Sequence, residues 1–117
     1  MKIKTTRAGA FTLVEIMIVV AIIGLLATLA VPNFVKARTV SQSDACINNL
    51  RQIDSAKQQW ALEFSQLPTA TPAQASVMRY IGRGPVGVWP TCPANGSYEI
   101  NAVSTAPTCS VGSHVLQ

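Results

Sequence analysis

The sequence predicts an α+β protein in which one long N-terminal α-helix packs against a small C-terminal region of short elements. Three observations lead to this prediction. An apolar run follows a short basic leader, a pattern of helical period continues the run, and the remainder is rich in proline and turn-forming residues. The length of 117 residues is enough for one small domain with an appended segment.

Composition and charge exclude several classes of protein. Only 12% of the residues are charged, against about 25% in ordinary soluble domains. Three basic residues, Lys2, Lys4 and Arg7, fall in the first ten positions. Beyond them six basic and five acidic residues remain, for a net charge of +1. The sequence therefore gives no strong signal for nucleic-acid binding.

The apolar run is long enough to cross a membrane. Residues 16–35 contain only two polar side chains, Thr28 and Asn33. A helix of about 20 apolar residues spans the hydrocarbon core of a bilayer. The basic leader predicts that the N-terminus stays inside and that the rest of the chain faces outward. We expect the chain to enter a membrane or to be exported through one.

An amphipathic helix is predicted to continue the run from Val35 to Leu67. No glycine or proline interrupts residues 34–67, and Pro68 is expected to end the helix. Apolar residues recur at spacings of three and four, which indicates one buried stripe. The stripe consists of Cys46, Ile47, Leu50, Ile53, Ala56, Trp60, Ala61, Phe64 and Leu67.

Residues 68–117 are expected to form a small globular region. Thr71 as N-cap and Pro72 at the first helical position predict a short helix that ends near Ile81. Asn95-Gly96 is a hairpin-type turn signal. The predicted strands are Val86–Trp89, Ser97–Val103 and Val111–Leu116. Trp60 and Trp89 are expected to be packing residues.

Glu15 is an unusual residue for its position, because it lies inside the apolar run. A carboxylate at such a depth costs a few kcal/mol and is usually functional. It could stay hydrated at the membrane interface, or it could pair with a positive charge. The run contains no positive charge. A new α-amino group at Phe11 of a neighbouring copy would supply one, if the leader were cut between Ala10 and Phe11.

Residues 9–27 read GAFTLVEIMIVVAIIGLLA, and Pro32 follows them. This segment resembles the N-termini of type IV pilins and of the pseudopilins of type II secretion systems. The resemblance covers about a third of the chain, residues 2–38. It implies a pilin-like α+β fold. It also implies that residues 1–10 are a leader, that residues 11–34 form a membrane and filament-core helix, and that residues 35–67 continue this helix.

The resemblance further implies how the chain is processed and assembled. A prepilin peptidase would cut between Ala10 and Phe11 and would N-methylate Phe11. Glu15 would pair with the Phe11 amine of the next subunit, and Pro32 and Gly24 would permit the helix to bend. The chain would be a structural subunit without enzymatic activity or cofactor. It would lie in the bacterial inner membrane before assembly, and in a periplasmic pseudopilus or an extracellular pilus afterwards.

The partners that the resemblance implies are other copies of the chain, minor pilins or pseudopilins, the prepilin peptidase and an inner-membrane assembly platform. Alternatives remain open at this point. The family usually has glycine directly before the cut, so cleavage after Gly9 is one alternative. A secretory signal cut before Val31, a permanent membrane anchor and a DNA- or surface-binding competence-type pilin are others.

Three cysteines, Cys46, Cys92 and Cys109, are expected to include one disulfide, because exported domains favour such bonds. Cys92 and Cys109 lie 17 residues apart, and a bond between them would stabilise the fold by roughly 3 kcal/mol. A bond from Cys46 to either one is the alternative. Zinc binding by these cysteines and His114 is disfavoured, because no two of the cysteines are closely spaced. We therefore predict no metal site.

Overall fold

The computed structural model describes residues 2–4, 9–82 and 87–117. It contains two α-helices and a two-stranded antiparallel sheet, so the predicted α+β fold is confirmed. In chain order the elements are α1 (Leu13–Glu63), α2 (Gln74–Met78), β1 (Tyr98–Glu99) and β2 (Thr108–Cys109). The chain divides into an N-terminal unit, Met1–Ala37, and a C-terminal unit, Arg38–Gln117.

The N-terminal unit consists mainly of the first half of α1. All of its helical residues are exposed, including the large apolar side chains. By length and composition, α1 is the one helix among the described residues that could cross a membrane. Thr28 Oγ1 donates to the Leu25 carbonyl (2.7 Å), and Asn33 Nδ2 donates to the Leu29 carbonyl (3.1 Å). The two polar side chains of the run thus bond within their own helix.

Pro32 lies inside α1, and the residues on both sides of it are helical. Local melting of the helix, which a proline can cause, is therefore not observed. Bending at Pro32 and Gly24 stays a prediction. A Cβ added at Gly24 would meet no other atom within 4 Å, so this position is open for contacts with other molecules.

The C-terminal unit buries the predicted apolar stripe of α1. Its buried apolar members are Cys46, Leu50, Ile53, Ala56 and Ala61. Ile53 and Ala56 form a core with Val77 and Ile81, against which Trp89, Tyr80, Tyr98 and Ile100 pack. Trp89 is thus a packing residue, as predicted. The ring of Trp60 lies 6.3 Å from that of Phe64, centroid to centroid.

The end of α1 lies earlier than predicted. The helix stops at Glu63, and Ser65 has a left-handed φ of 49°. Gln66 N–H donates to the Ala61 carbonyl (2.9 Å), and Ser65 N–H donates to the Leu62 carbonyl (3.5 Å). This bonding pattern is a Schellman motif, which turns the chain off the helix axis before a proline is reached.

Two predicted members of the apolar stripe are wrong for the same reason. Phe64 and Leu67 lie beyond the last helical turn and are 54% and 71% exposed. Because the chain leaves the helix at Ser65, these side chains no longer follow the buried face.

The second helix is shorter than predicted, and its predicted cap is wrong. Ala73, not Thr71, is the N-cap, and no side chain bonds to the first turn. The Ala73 carbonyl accepts hydrogen bonds from Ser76 and Val77 N–H groups. The backbone of Gly87 lies against the end of this helix, where an added Cβ would be 1.8 Å from the Met78 carbonyl oxygen. Gly87 also has a φ of +72°, so both space and backbone conformation require glycine there.

The sheet is much smaller than predicted. β1 covers only two residues of the predicted Ser97–Val103 strand, and it pairs with β2, a segment for which no strand was predicted. The predicted strand Val111–Leu116 is not formed. Of the predicted strand Val86–Trp89, Val86 lies outside the described residues, and 87–89 form no strand.

The turn at Asn95-Gly96 is present but does not join the two strands. Asn95 has a φ of 59°, and its N–H donates to the Cys92 carbonyl (3.0 Å). The strands are joined instead by residues 100–107. In this loop, the N–H groups of Val103 and Ser104 donate to carbonyls of residues 70 and 68 rather than to a neighbouring strand.

Candidate functional site

Thr12 caps the N-terminus of α1. Its Oγ1 accepts a hydrogen bond from the Glu15 N–H group (3.2 Å), and its carbonyl accepts one from Ile16 (3.4 Å). Threonine followed three residues later by glutamate is the capping-box sequence. The helix therefore begins at Leu13 rather than at Phe11, and Glu15 lies in its first turn. A carboxylate there is stabilised by the positive end of the helix dipole.

The side chains around Glu15 are apolar and exposed. Phe11 is 77% exposed and Leu13 is 75% exposed. Within the described part of the chain, the Glu15 carboxylate forms no ion pair. Among the described residues, the site thus combines a negative charge without an ion-pair partner with an apolar helix surface that no other described residue covers.

The predicted cleavage site precedes the cap. Gly9, Ala10 and Phe11 are exposed and belong to no helix or strand. A peptidase needs accessible backbone outside regular secondary structure, which agrees with the predicted cleavage here. Of the basic leader residues, Lys2 and Lys4 are exposed, whereas Arg7 lies outside the described residues.

The three cysteines and His114 come together in the C-terminal unit. One ligand atom from each of the four residues lies within 4.8 Å of all the others. Zinc binding by this set was disfavoured from the sequence because no two of the cysteines are closely spaced, but the tertiary fold brings the four residues together. The three cysteines are free thiols here, and the Cys92–Cys109 disulfide stays a prediction.

The surroundings of the thiols affect their acidity in opposite directions. Burial raises the pKa of Cys46 to about 12. Burial is the largest influence on the pKa of Cys92 and acts to raise it, but hydrogen bonds from the backbone of Ala94 and Gly96, from His114 and from Cys46 together outweigh burial. The pKa of Cys92 is thereby lowered to about 6.

Lys57 is a second feature that sequence reasoning missed. It is fully buried, and its Nζ donates hydrogen bonds to the carbonyls of Ile100 (3.2 Å), Ala102 (3.0 Å) and Thr105. Asp54 Oδ1 lies 3.4 Å from the same atom. Burial lowers the pKa of Lys57, and Asp54 opposes this effect. The available signal was its position four residues after Ile53, on the apolar stripe.

Comparison with known families identifies the N-terminal segment. A family described as the prokaryotic N-terminal methylation motif matches residues 5–31. The match includes Phe11, Glu15 and Gly24. Residues 5–31 therefore carry the N-terminal methylation motif, and the chain is similar to type IV pilins and to type II secretion pseudopilins.

The relatives that match come from two branches, type IV pilins and type II secretion core proteins. It is 44% identical to the type IV major pilin protein PilA of Myxococcus xanthus over 57 residues, which are 49% of this chain and 26% of the relative. It is 35% identical to the type II secretion system core protein G of Klebsiella pneumoniae over 63 residues, which are 54% of this chain and 45% of the relative. The Escherichia coli core protein G is 30% identical over 74 residues, 63% of this chain and 51% of the relative.

The chain thus spans between a quarter and about half of the length of these curated relatives. No solved structure matches it with statistical significance.

Proposed function

We propose that this chain is a structural subunit of a filament, either a type IV pilus or a type II secretion pseudopilus. The observation that carries the proposal is the exposed apolar surface of α1, which begins with a glutamate that has no ion-pair partner in the described structure. A surface of this kind is unstable in water. It requires lipid or other apolar helices around it.

Processing would prepare the site for assembly. Cleavage between Ala10 and Phe11 would create a positively charged amine, which N-methylation would leave charged. Thr12 fixes the first turn of α1, so the Glu15 side chain would start from a defined position. An amine and a carboxylate attract strongly in an apolar medium, and an unpaired carboxylate there is costly. The pairing of Glu15 with Phe11 of a neighbouring subunit would thereby set the register of the filament.

Before assembly, the first half of α1 would hold the chain in the inner membrane with the C-terminal unit outside. Other pilin-type subunits, the prepilin peptidase and an inner-membrane platform would be its partners. Pro32 and Gly24 would allow the helix to adapt its curvature to the filament core, because Pro32 lacks a backbone donor and Gly24 offers no side chain. Relatives of both branches support the filament class equally.

Filament yield in cells that carry Glu15 variants tests the proposal. We expect both Glu15→Ala and Glu15→Gln to abolish assembly while the leader is still removed. Glutamine retains the capping-box residue type and lacks the charge, so its failure would assign the defect to charge rather than to helix capping. Glu99→Ala is the matched control, because Glu99 is an exposed acid in the C-terminal unit.

Normal filament yield from Glu15→Gln would overturn the pairing role of Glu15. A loss of leader cleavage in either variant would place the role of Glu15 in processing instead. Equal loss of filaments in Glu99→Ala would show that the assay does not report on the N-terminal site.

A further inference from the structure

Four potential metal ligands converge on one point from four separate segments of the C-terminal unit. Cys46 comes from α1, Cys92 from the turn before β1, Cys109 from β2, and His114 from the C-terminal tail. Cys46, Cys92 and His114 are buried, at 0%, 5% and 4% exposure, and Cys109 is partly buried. Such a concentration of thiols and an imidazole inside a small fold needs a physical reason.

We propose that these four residues bind one zinc ion in a closed Cys₃His site. Tetrahedral zinc has Zn–S bonds of about 2.3 Å and Zn–N bonds of about 2.0 Å, so its ligand atoms lie roughly 3.5–3.8 Å apart. Cys92 Sγ and His114 Nδ1 are 3.7 Å apart, and all four ligand atoms lie within 4.8 Å of one another. The ligands need to move by only about an ångström or less to enclose the ion.

The groups around the cluster can stabilise negatively charged sulfur by hydrogen bonding. The backbone of Ala94 and Gly96 forms hydrogen bonds to Cys92 Sγ, and the Tyr98 hydroxyl bonds to the Cys46 side chain. Asn49 Nδ2 donates to the same hydroxyl (3.1 Å), which leaves the hydroxyl hydrogen free to point at sulfur. Outer donors of this kind orient and stabilise the thiolates of a metal site.

Close packing at Gly96 also supports a preformed metal site. A Cβ at Gly96 would come within 2.8 Å of Cys109 Sγ and 3.2 Å of Cys92 Sγ. The backbone therefore approaches two of the sulfur atoms directly, as is required if its N–H group is to reach a ligand. Cys109 pairs with Tyr98 across the sheet, and the Tyr98 hydroxyl bonds to Cys46, so the third sulfur lies near the other two.

Zinc accounts for all four residues, whereas a disulfide does not. A disulfide would consume two thiols and leave the third thiol and His114 buried beside it. Zinc(II) would bind three thiolates and one neutral imidazole, and each thiol still protonated would release its proton to solvent. No change of oxidation state is involved. The four-coordinate site has no open position for a substrate, so its role would be to hold together segments that share only a small core.

Metal content and thiol count of the full chain, purified in detergent without reductant or chelator, test the proposal together. We expect one zinc ion per chain by elemental analysis. Three thiols should react with a thiol reagent only after the protein is denatured with chelator. Cobalt(II) in place of zinc should give the visible absorption of tetrahedral cobalt with thiolate ligands.

A chain without metal that contains one disulfide and one thiol would overturn the proposal. So would three free thiols without bound metal in zinc-containing buffer, or a stoichiometric metal other than zinc. None of these outcomes would bear on the filament proposal, because the cluster lies outside residues 5–31, which carry the methylation motif.

Variants distinguish ligands from residues that only pack. We expect Cys46→Ser and His114→Ala to lose zinc, and His114→Cys to keep one zinc per chain, because a fourth thiolate replaces the imidazole. Ser113→Ala is the matched control, since Ser113 is exposed and adjacent to His114. Unchanged zinc content in both Cys46→Ser and His114→Ala would contradict the assignment of these ligands, and the folding of each variant is checked by circular dichroism.

Discussion

At the scale of single residues, Lys57 shows how a buried charge can organise a fold. Its ammonium group provides donors for carbonyls of residues 100, 102 and 105 in the loop that joins the two strands. These carbonyls point at the buried ammonium group and are therefore not aligned for a ladder with a neighbouring strand. The lysine thus explains why β1 ends at Glu99 rather than at Val103, as the alternation of residues 97–103 had predicted.

Replacement of Lys57 by alanine should lower the free energy of unfolding by about 2–4 kcal/mol, because it leaves buried carbonyls without donors. The control is Gln58→Ala, which removes one exposed hydrogen bond to the Val103 carbonyl (3.0 Å) and should cost less than about 1 kcal/mol. Chemical denaturation of the full chain in detergent measures both. Equal losses for the two variants would contradict the structural role of Lys57.

Gly96 is the second residue whose identity the structure explains. Alanine there should destabilise the protein by about 1–3 kcal/mol, because its Cβ would meet Cys109 Sγ at 2.8 Å and Val111 Cγ2 at 3.0 Å. Gly112→Ala is the control, since an added Cβ would meet nothing within 4 Å. Thermal unfolding should separate the two variants. A neutral Gly96→Ala would mean that the backbone does not approach the thiol cluster so closely.

At the scale of elements, the long helix was the most predictable part of the fold. Its apolar run and its buried stripe are local patterns with a fixed period, so the sequence alone predicted them correctly from Cys46 to Ala61. Its C-terminus was not predictable in this way. Ser65 adopts a left-handed conformation that is unusual for serine. Glycine or asparagine usually marks a Schellman motif, and neither occupies this position.

The conformation of Ser65 leads to a prediction of increased stability. Ser65→Gly should raise the free energy of unfolding by about 0.5–1 kcal/mol, because glycine adopts a positive φ without steric cost. Ser55→Gly, at an exposed position inside the same helix, should instead lower it by about 0.5–1 kcal/mol. The two melting temperatures should move in opposite directions. A decrease for both variants would contradict the Schellman end of α1.

At the scale of the whole molecule, the sequence was informative about the N-terminal unit and much less so about the C-terminal unit. A contiguous motif in residues 5–31 predicted the apolar run and the position of Glu15, but not the cap at Thr12. The convergence of the three thiols and His114 was considered and rejected from the sequence, because its members are separated by up to 68 positions and meet only through the tertiary fold. Short strands likewise depend on contacts from elsewhere.

This contrast agrees with the different roles that we propose for the two units. The N-terminal unit would be constrained by a peptidase, a membrane and neighbouring subunits. Each of these would contact a contiguous segment of the chain. The C-terminal unit would have to remain folded outside the membrane with a small core, for which the buried lysine and the proposed zinc site would compensate. The filament account and the zinc proposal therefore concern different parts of the molecule.

The mass of the N-terminal peptide of the protein isolated from its native envelope tests the central claim most directly. The account predicts a chain that begins at Phe11 and carries one added methyl group on its amine. A chain that begins at Val31 would identify residues 1–30 as a secretory signal. A chain that retains its leader would identify a permanent anchor, and either result would contradict the assignment as a processed filament subunit.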